Sequence, residues 1–238
     1  MKFYDLFVQS KLSGGENTVE QIADFAKKLG YSGIAVCDNF QGLDKLEELK
    51  NEIAKVKDIE IYSGVNIIPK DVNEMREIIS KVREKVQVVV VSGGDYSINR
   101  AACDDSRIDI LMHPELDRSD SGLDEPCMEA ATQNNVAIGI SFREILYNFR
   151  KPRSYILNHV ARNLMLCNNF RTPAVICSCS QTTWGMRNPR ELVSLMNVLG
   201  LDIVKAFASI TSVPQAIVDE NMKTLGGTRV TEGVEEVE

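Results

Sequence analysis

The chain has little of what hydrolytic and secreted proteins rely on. It carries two histidines and one tryptophan in 238 residues. A hydrolytic metal centre gathers several imidazoles and carboxylates, so two histidines argue against one built in the ordinary way. His159 falls within a helical pattern, and only His113 stands at a strand end. A Ser-His-Asp arrangement around His113 lacks any G-x-S-x-G elbow to present the serine. The six cysteines (Cys37, Cys103, Cys127, Cys167, Cys177 and Cys179) form no C-x-x-C pair and no regular spacing. Several lie inside apolar runs, where free Cys behaves as a small hydrophobe. This speaks against a disulfide scaffold or zinc ribbon and for a reducing, cytoplasmic setting. No apolar run approaches the roughly 20 residues that span a bilayer. The amino terminus, MKFYDLFVQS, enters a strand pattern directly and lacks the apolar region of a signal peptide.

One absence is local. From Ile145 to Arg190 there is no Asp or Glu, but there are seven basic residues: Arg150, Lys151, Arg153, Arg162, Arg171, Arg187 and Arg190. The whole chain has 27 Lys+Arg against 34 Asp+Glu, for a net charge of −7. A chain that repels polyanions overall therefore keeps one wholly basic stretch, the pattern expected of a surface that faces a polyanion.

What is present is an alternation of strands and helices. Strand patterns run through Phe3–Val8, Gly33–Cys37, Ile59–Ile68, Val86–Val91, Ile108–Met112, Val136–Ile140, Ala174–Cys177 and Ile203–Phe207. Helical patterns follow each in turn. Thr18 and Gln21 form a capping box ahead of Val19, Ile22, Phe25, Ala26 and Leu29. Asn188 and Pro189 open a helix whose apolar stripe is Leu192, Leu195, Met196 and Leu199. Eight β-then-α units predict a parallel sheet, and eight is the closing number of a (β/α)8 barrel; an open doubly wound sheet is the alternative. The barrel is expected over residues 1–225 as one domain, with 226–238 an acidic, apolar-poor, disordered tail.

In such folds, function lies at the carboxyl ends of the strands. Those ends read Gln9-Ser10, Asp38-Asn39, Asn66, Ser92-Gly93-Gly94-Asp95, His113, Ser141, Ser178-Cys179-Ser180-Gln181 and Ser209. Asp5, Asp38 and His113 are too few for a two-metal centre unless Asp95 joins them. Ser92-Gly93-Gly94-Asp95 suits either an anion-binding nest or a tight βα turn. His113 suits either a backbone-bonded strand end or a catalytic role. The rim is polar, flanked by arginine and poor in catalysts, which favours binding over chemistry.

Several segments resemble known families. Asp5-Leu6-Phe7-Val8-Gln9-Ser10, Ile34-Ala35-Val36-Cys37-Asp38-Asn39 and Gly64-Val65-Asn66-Ile67 follow the polymerase and histidinol phosphatase (PHP) phosphoesterases. In that family the matching segments resemble DLHxHS, IAxTDH and GxEI. Here Phe7, Gln9, Asn39 and Asn66 replace the metal-holding His and Glu, and Ser178-Cys179-Ser180-Gln181 stands in place of SDAH. The resemblance therefore implies a TIM-like barrel of the PHP type with a degenerate metal site.

Further segments narrow the match: Asp109-Ile110-Leu111-Met112-His113-Pro114, Arg118 with Ser121-Gly122-Leu123-Asp124, Ile140-Ser141-Phe142-Arg143, and Trp184-Gly185-Met186-Arg187-Asn188-Pro189-Arg190. With these the chain resembles the archaeal ribonuclease P protein component 3 family from Phe3 to about Met222. The acidic tail and the Cys177/Cys179 pair depart from it. The family implies a non-catalytic subunit of the RNA-based endonuclease that removes 5′ leaders from precursor tRNA. Its implied partners are the ribonuclease P RNA, archaeal protein component 2, other protein subunits and precursor tRNA within the complex. No cofactor is expected on this chain, Mg2+ being expected on the catalytic RNA, and no membrane is involved. Arg100, Arg118, Arg143, Arg187 and Arg190 are the expected RNA-binding residues, with His113 and Trp184 supporting the rim. Intramolecular salt bridges, with Glu144 and Glu191 nearby in sequence, compete for Arg143 and Arg187. A working PHP phosphoesterase and a purely protein-binding scaffold are the rival readings.

Overall fold

Seven parallel strands, neighbouring one another in chain order, form the centre of the computed structural model. They are β1 (Tyr4–Val8), β2 (Gly33–Asn39), β3 (Glu60–Ile67), β4 (Val88–Ser92), β5 (Ile110–Met112), β6 (Ala137–Ser141) and β7 (Ala174–Cys177). Helices follow them: α1 (Val19–Leu29), α2 (Leu43–Ile53), α3 (Val72–Val82), α4 (Tyr96–Cys103) and α5 (Glu125–Gln133). Then come α6 (Phe142–Tyr147), α7 (Lys151–Phe170), α8 (Pro189–Val198), α9 (Ile203–Ala208) and α10 (Ser212–Leu225). The structure describes residues 1–226, 229–231 and 234–235. In the tail, β8 (Arg229–Thr231) and β9 (Val234–Glu235) pair antiparallel; its other positions, and the disorder expected there, lie outside the described residues.

Strands such as β4 (Val88–Ser92) and β7 (Ala174–Cys177) read as near-continuous apolar runs because both of their faces are covered. One set, including Ile34, Val36, Val65, Ile67, Val89, Val91, Leu111 and Ile138, faces the helices. The alternate set, Leu6, Ala35, Cys37, Val88, Val90, Ile110, Met112, Ala137 and Cys177, fills the barrel interior. The interior is narrow. A methyl group on Gly64 would collide with Cys37 Sγ, and one on Gly139 with Met112 and Ile110. Val218 of α10 is fully buried against the interior set and seals the barrel's amino-terminal end. Beside it, Asn221 Nδ2 reaches Asp109 Oδ1 at 2.8 Å, and Arg83 Nη1 binds Asp109 Oδ2 at 2.8 Å.

The expected eighth strand, Ile203–Phe207, is helix α9. Asp202 decides this, its side chain accepting from the amides of Val204 and Lys205 and so starting a helical turn. Along the segment Ala206 is fully buried while Val204 is 74% exposed, the one-sided burial of a packed helical face. The barrel closes with seven strands instead. Val8 bridges Ser180 in parallel, and the Gln9 amide donates to the Ser180 carbonyl at 2.9 Å. At the other end the α9–α10 connection fills the seam. Tyr4 N donates to the Ile210 carbonyl at 3.0 Å and Ile176 N to the Ser209 carbonyl at 3.2 Å.

Candidate functional site

The carboxyl rim holds a hydrogen-bonded string of neutral amides. Gln181 Nε2 donates to Gln9 Oε1 at 3.0 Å, and Gln9 Nε2 donates to Asn39 Oδ1 at 2.8 Å. Asn66 Nδ2 donates to the same Asn39 oxygen at 2.8 Å, and Ser92 Oγ donates to Asn66 Oδ1 at 2.9 Å. The strand register produces this, since Asn39 lies opposite Asn66 on adjacent parallel strands. Gly14 leaves room for it, because a side chain there would press on Gln9 and Gln181.

The carboxylates of this frame serve the backbone. Asp5 is fully buried and accepts from the Ser178 amide at 3.1 Å and the Phe7 amide at 3.3 Å. Burial pushes its carboxyl up to about 6 against those hydrogen bonds. Asp38 accepts from the Ser10 amide at 2.7 Å and from Ser10 Oγ at 2.6 Å. The donor set does not fit a catalytic metal pair. The oxygens of Gln9, Asn39 and Asn66 are engaged by neighbouring amides and by the Ser92 hydroxyl, and the two carboxylates are spoken for. Among the described residues no three His, Cys, Asp or Glu side chains converge as metal ligands.

His113 is buried with a left-handed backbone (φ 56°), and among the described residues neither ring nitrogen has a hydrogen-bond partner. Burial, then the nearby Arg143, lowers its pKa to about 3, so the ring is neutral. It packs edge-on to Phe7 at 6.5 Å between centroids. The next turn buries Glu115, whose carboxyl is pushed up to about 7 by burial and then by Glu144.

The arginines divide into two kinds. Arg118 is spent internally: Nε and Nη2 grip both Asp120 oxygens at 2.6 and 2.9 Å, and Nη1 donates to the Gly94 carbonyl at 3.1 Å. Buried amides fix its loop. Asn99 Nδ2 donates to the carbonyls of Pro114 and Gly122 at 2.9 Å each, and Asn163 Nδ2 to that of Ser121 at 3.0 Å. Arg143 forms a part-buried pair with Glu144, Nη2 to Oε1 at 3.1 Å. Arg187 binds backbone carbonyls, Nη1 donating to Trp184 at 2.7 Å and Met186 at 2.8 Å, with its guanidinium 5.2 Å from the Phe142 ring centroid. It makes no ion pair with Glu191 among the described residues. Arg190 is exposed in the first turn of α8. Arg100 is exposed in the last turn of α4, its Nη1 reaching Tyr96 Oη at 3.5 Å.

The structure thus sets Arg187 over Phe142, the residue before Arg143, and ties the Arg118 loop to the β4 turn through Gly94. Trp184, 83% exposed, stands beside Arg187 on the same β7–α8 connection. Sequence reasoning missed the Arg118–Asp120 clasp, although the two residues are only two positions apart. It places both Ser92 and Gln181 at strand ends but does not foresee their joining as the two ends of one amide string.

Comparison with known proteins bears on this arrangement. A family model described as RNase P subunit p30 matches residues 2–224. Ribonuclease P protein component 3 of Methanosarcina mazei is 33% identical over 237 residues, covering 100% of this chain and 96% of that one. Its counterpart from Methanococcus maripaludis is 34% identical over 215 residues, covering 89% of this chain and 91% of that one. Among solved structures, a chain in a cryo-EM structure of archaeal ribonuclease P with mature tRNA matches with a TM-score of 0.80 at 27% identity, covering 98% of each. Histidinol phosphate phosphatase of Lactococcus lactis, solved with zinc, L-histidinol and phosphate, has a TM-score of 0.56 at 12% identity, covering 92% of this chain and 94% of that one. It shares the barrel fold alone. With the family model matched across nearly its whole length, the chain belongs to the RNase P subunit p30 family.

Proposed function

We propose that this chain works within ribonuclease P as a protein that braces the catalytic RNA and breaks no bond itself. The observation that carries the reading is the family match over residues 2–224, joined to a likeness at 27% identity with a chain of archaeal ribonuclease P solved with mature tRNA. Its partners are then the ribonuclease P RNA, precursor tRNA within the complex, archaeal protein component 2 and the other protein subunits. Mg2+ belongs to the RNA, and the chain itself carries no cofactor. The working compartment is the cytoplasm, in keeping with six free, buried cysteines. Among the described residues no helix is long and apolar enough to cross a membrane.

Within this reading the rim divides its labour. Arg100, Arg187 and Arg190 offer guanidinium groups to phosphate, which arginine's planar fork grips bidentately. Arg118 and Arg143 shape the loops that carry the rim, and His113 and Trp184 support them, one from within and one at the surface. The phosphoesterase alternative is disfavoured by the donor chemistry, since neutral amides occupy the ligand positions.

Reconstitution tests the reading. Precursor tRNA processing with catalytic RNA and the other subunits should fall when this chain is omitted at low Mg2+ and return when it is added. Light scattering of a mixture with protein component 2 should show a stable heteromer. Unchanged processing without the chain, or a strictly monomeric peak in the mixture, would overturn it.

A further inference from the structure

Beyond the strand-end residues, the connection after β6 holds one unusual patch, at the corner where α6 turns into α7. Tyr147, Phe149 and Tyr155 are 55%, 67% and 60% exposed there. Arg150, Lys151 and Arg153 are interleaved with them in sequence, and Arg150 and Lys151 are exposed. The exposed face of α7 continues through Asn158, Arg162 and Met165.

Two properties set this corner apart. Several surface lysines elsewhere are matched by acids one helical turn away, as in Lys45–Glu48, Lys50–Glu47, Lys55–Glu52 and Lys81–Glu77. Among the described residues Arg150, Lys151, Arg153 and Arg162 form no ion pair. Glu144 is the nearest acid in sequence and is taken by Arg143 and Asn148. Second, the aromatic surface is held in place. Arg153 Nε and Nη2 donate to the carbonyls of Asn148 and Leu146 at 2.6 and 3.2 Å, so its guanidinium lies 5.1 Å from the Phe149 centroid. One side of the ring is backed by a fixed cation and the rest is open to solvent.

Exposed aromatics on a backed platform, beside unpaired cations, match the needs of unpaired nucleotides. Bases stack on the rings and phosphates meet the cations, whereas a paired duplex hides its base faces. We propose that the α6–α7 corner binds a single-stranded RNA segment, its bases stacking on Phe149 and Tyr155 and its phosphates meeting Arg150, Lys151 and Arg162. The proposal rests on the reading of this chain as an RNA-facing subunit and adds a contact beyond the strand-end arginines. Charge complementarity favours RNA over a protein partner, since the corner's one acid, Glu144, is already taken by Arg143 and the remaining charges are cations.

The test uses the full chain, a fluorescent 12-nucleotide oligouridylate and a 12-base-pair RNA duplex, followed by anisotropy across a salt series. The single strand should bind more tightly than the duplex. Phe149→Leu/Tyr155→Leu, which keeps apolar area but removes the rings, should weaken single-strand binding about tenfold or more without changing the salt slope. Lys151→Gln/Arg162→Gln should lower that slope by about 0.7 per lost phosphate contact. Equal affinity of the aromatic double variant and the parent, both with unchanged melting temperature, would overturn the proposal. So would loss of co-elution with protein component 2 while oligouridylate binding persists, which would make the corner a protein dock. Full processing by Arg187→Ala/Arg190→Ala in the reconstituted enzyme would overturn the rim assignment alone and leave the corner result standing.

Discussion

Asn39 Oδ1 receives the amide groups of both Gln9 and Asn66, each at 2.8 Å. One oxygen therefore holds together three strand ends. Asn39→Leu should leave both donors without a partner and destabilise the fold by about 1–3 kcal/mol. Asn39→Asp keeps an acceptor at the site and should cost less at neutral pH. Denaturant unfolding of the two variants decides the matter, and equal losses would refute the bridging role.

The clasp between Arg118 and Asp120 predicts a different outcome for Arg118 than for Arg190. Arg118 is already neutralised by an internal carboxylate and a carbonyl, whereas Arg190 is exposed. Arg118→Ala should therefore lower stability by about 1 kcal/mol and leave the salt slope of assembly nearly unchanged. Arg190→Ala should do the reverse, lowering the slope by about one per lost phosphate contact. A steeper slope change for Arg118 would show that the clasp opens on RNA.

Glu115 supplies a pH test. Its carboxyl is pushed from 4.5 up to about 7, so the folded state holds the proton more tightly than the unfolded chain does. The stability this brings is present below about pH 4.5 and is lost as pH rises through about 7. Asp5, raised to about 6, has the same sign. His113, lowered to about 3, has the opposite sign and loses stability as pH falls below 6.5. Glu115→Gln should thus stabilise the protein more at pH 8 than at pH 5, by up to roughly 3 kcal/mol. Thermal melts of parent and variant at the two pH values measure this, and an equal difference at both would count against it.

Asp202 starts α9 where a strand was expected. Asp202→Ala removes the acceptor for the Val204 and Lys205 amides and should cost about 1 kcal/mol, while Asp202→Asn should cost much less. If the two substitutions destabilise alike on chemical denaturation, the cap is not what holds this helix.

Much of the fold was legible because its signals are local. The capping box of Thr18 and Gln21, the Asn188-Pro189 helix start and the runs of Val88 to Val91 each report their own neighbourhood. Ile203–Phe207 misled because five mostly apolar residues fit a strand as readily as a short helix; the deciding cue was the single Asp202 before it. The replaced ligands at Gln9, Asn39 and Asn66 were readable through the family resemblance. Their joining into one string was not, because it depends on strand register and on Gln181, 172 residues from Gln9. Arginine fates were the least legible. A guanidinium reaches many acceptors, and sequence distance does not rank Asp120 above solvent for Arg118 or a carbonyl above Glu191 for Arg187.

The closing seam sets a timetable for the nascent chain. Tyr4 passes its amide to Ile210, and Asp5 waits for Ser178, 173 residues further along. On the ribosome the first strand thus keeps one open edge until residues near 210 have emerged. At usual elongation rates that interval is roughly 10–40 s. During it the Tyr4–Val8 edge offers unpaired amides and carbonyls to any neighbouring strand. Polysomes crowded with half-made copies are therefore where this protein is most exposed to misassembly, and a chaperone that shields the first strand would act there before any RNA partner is met.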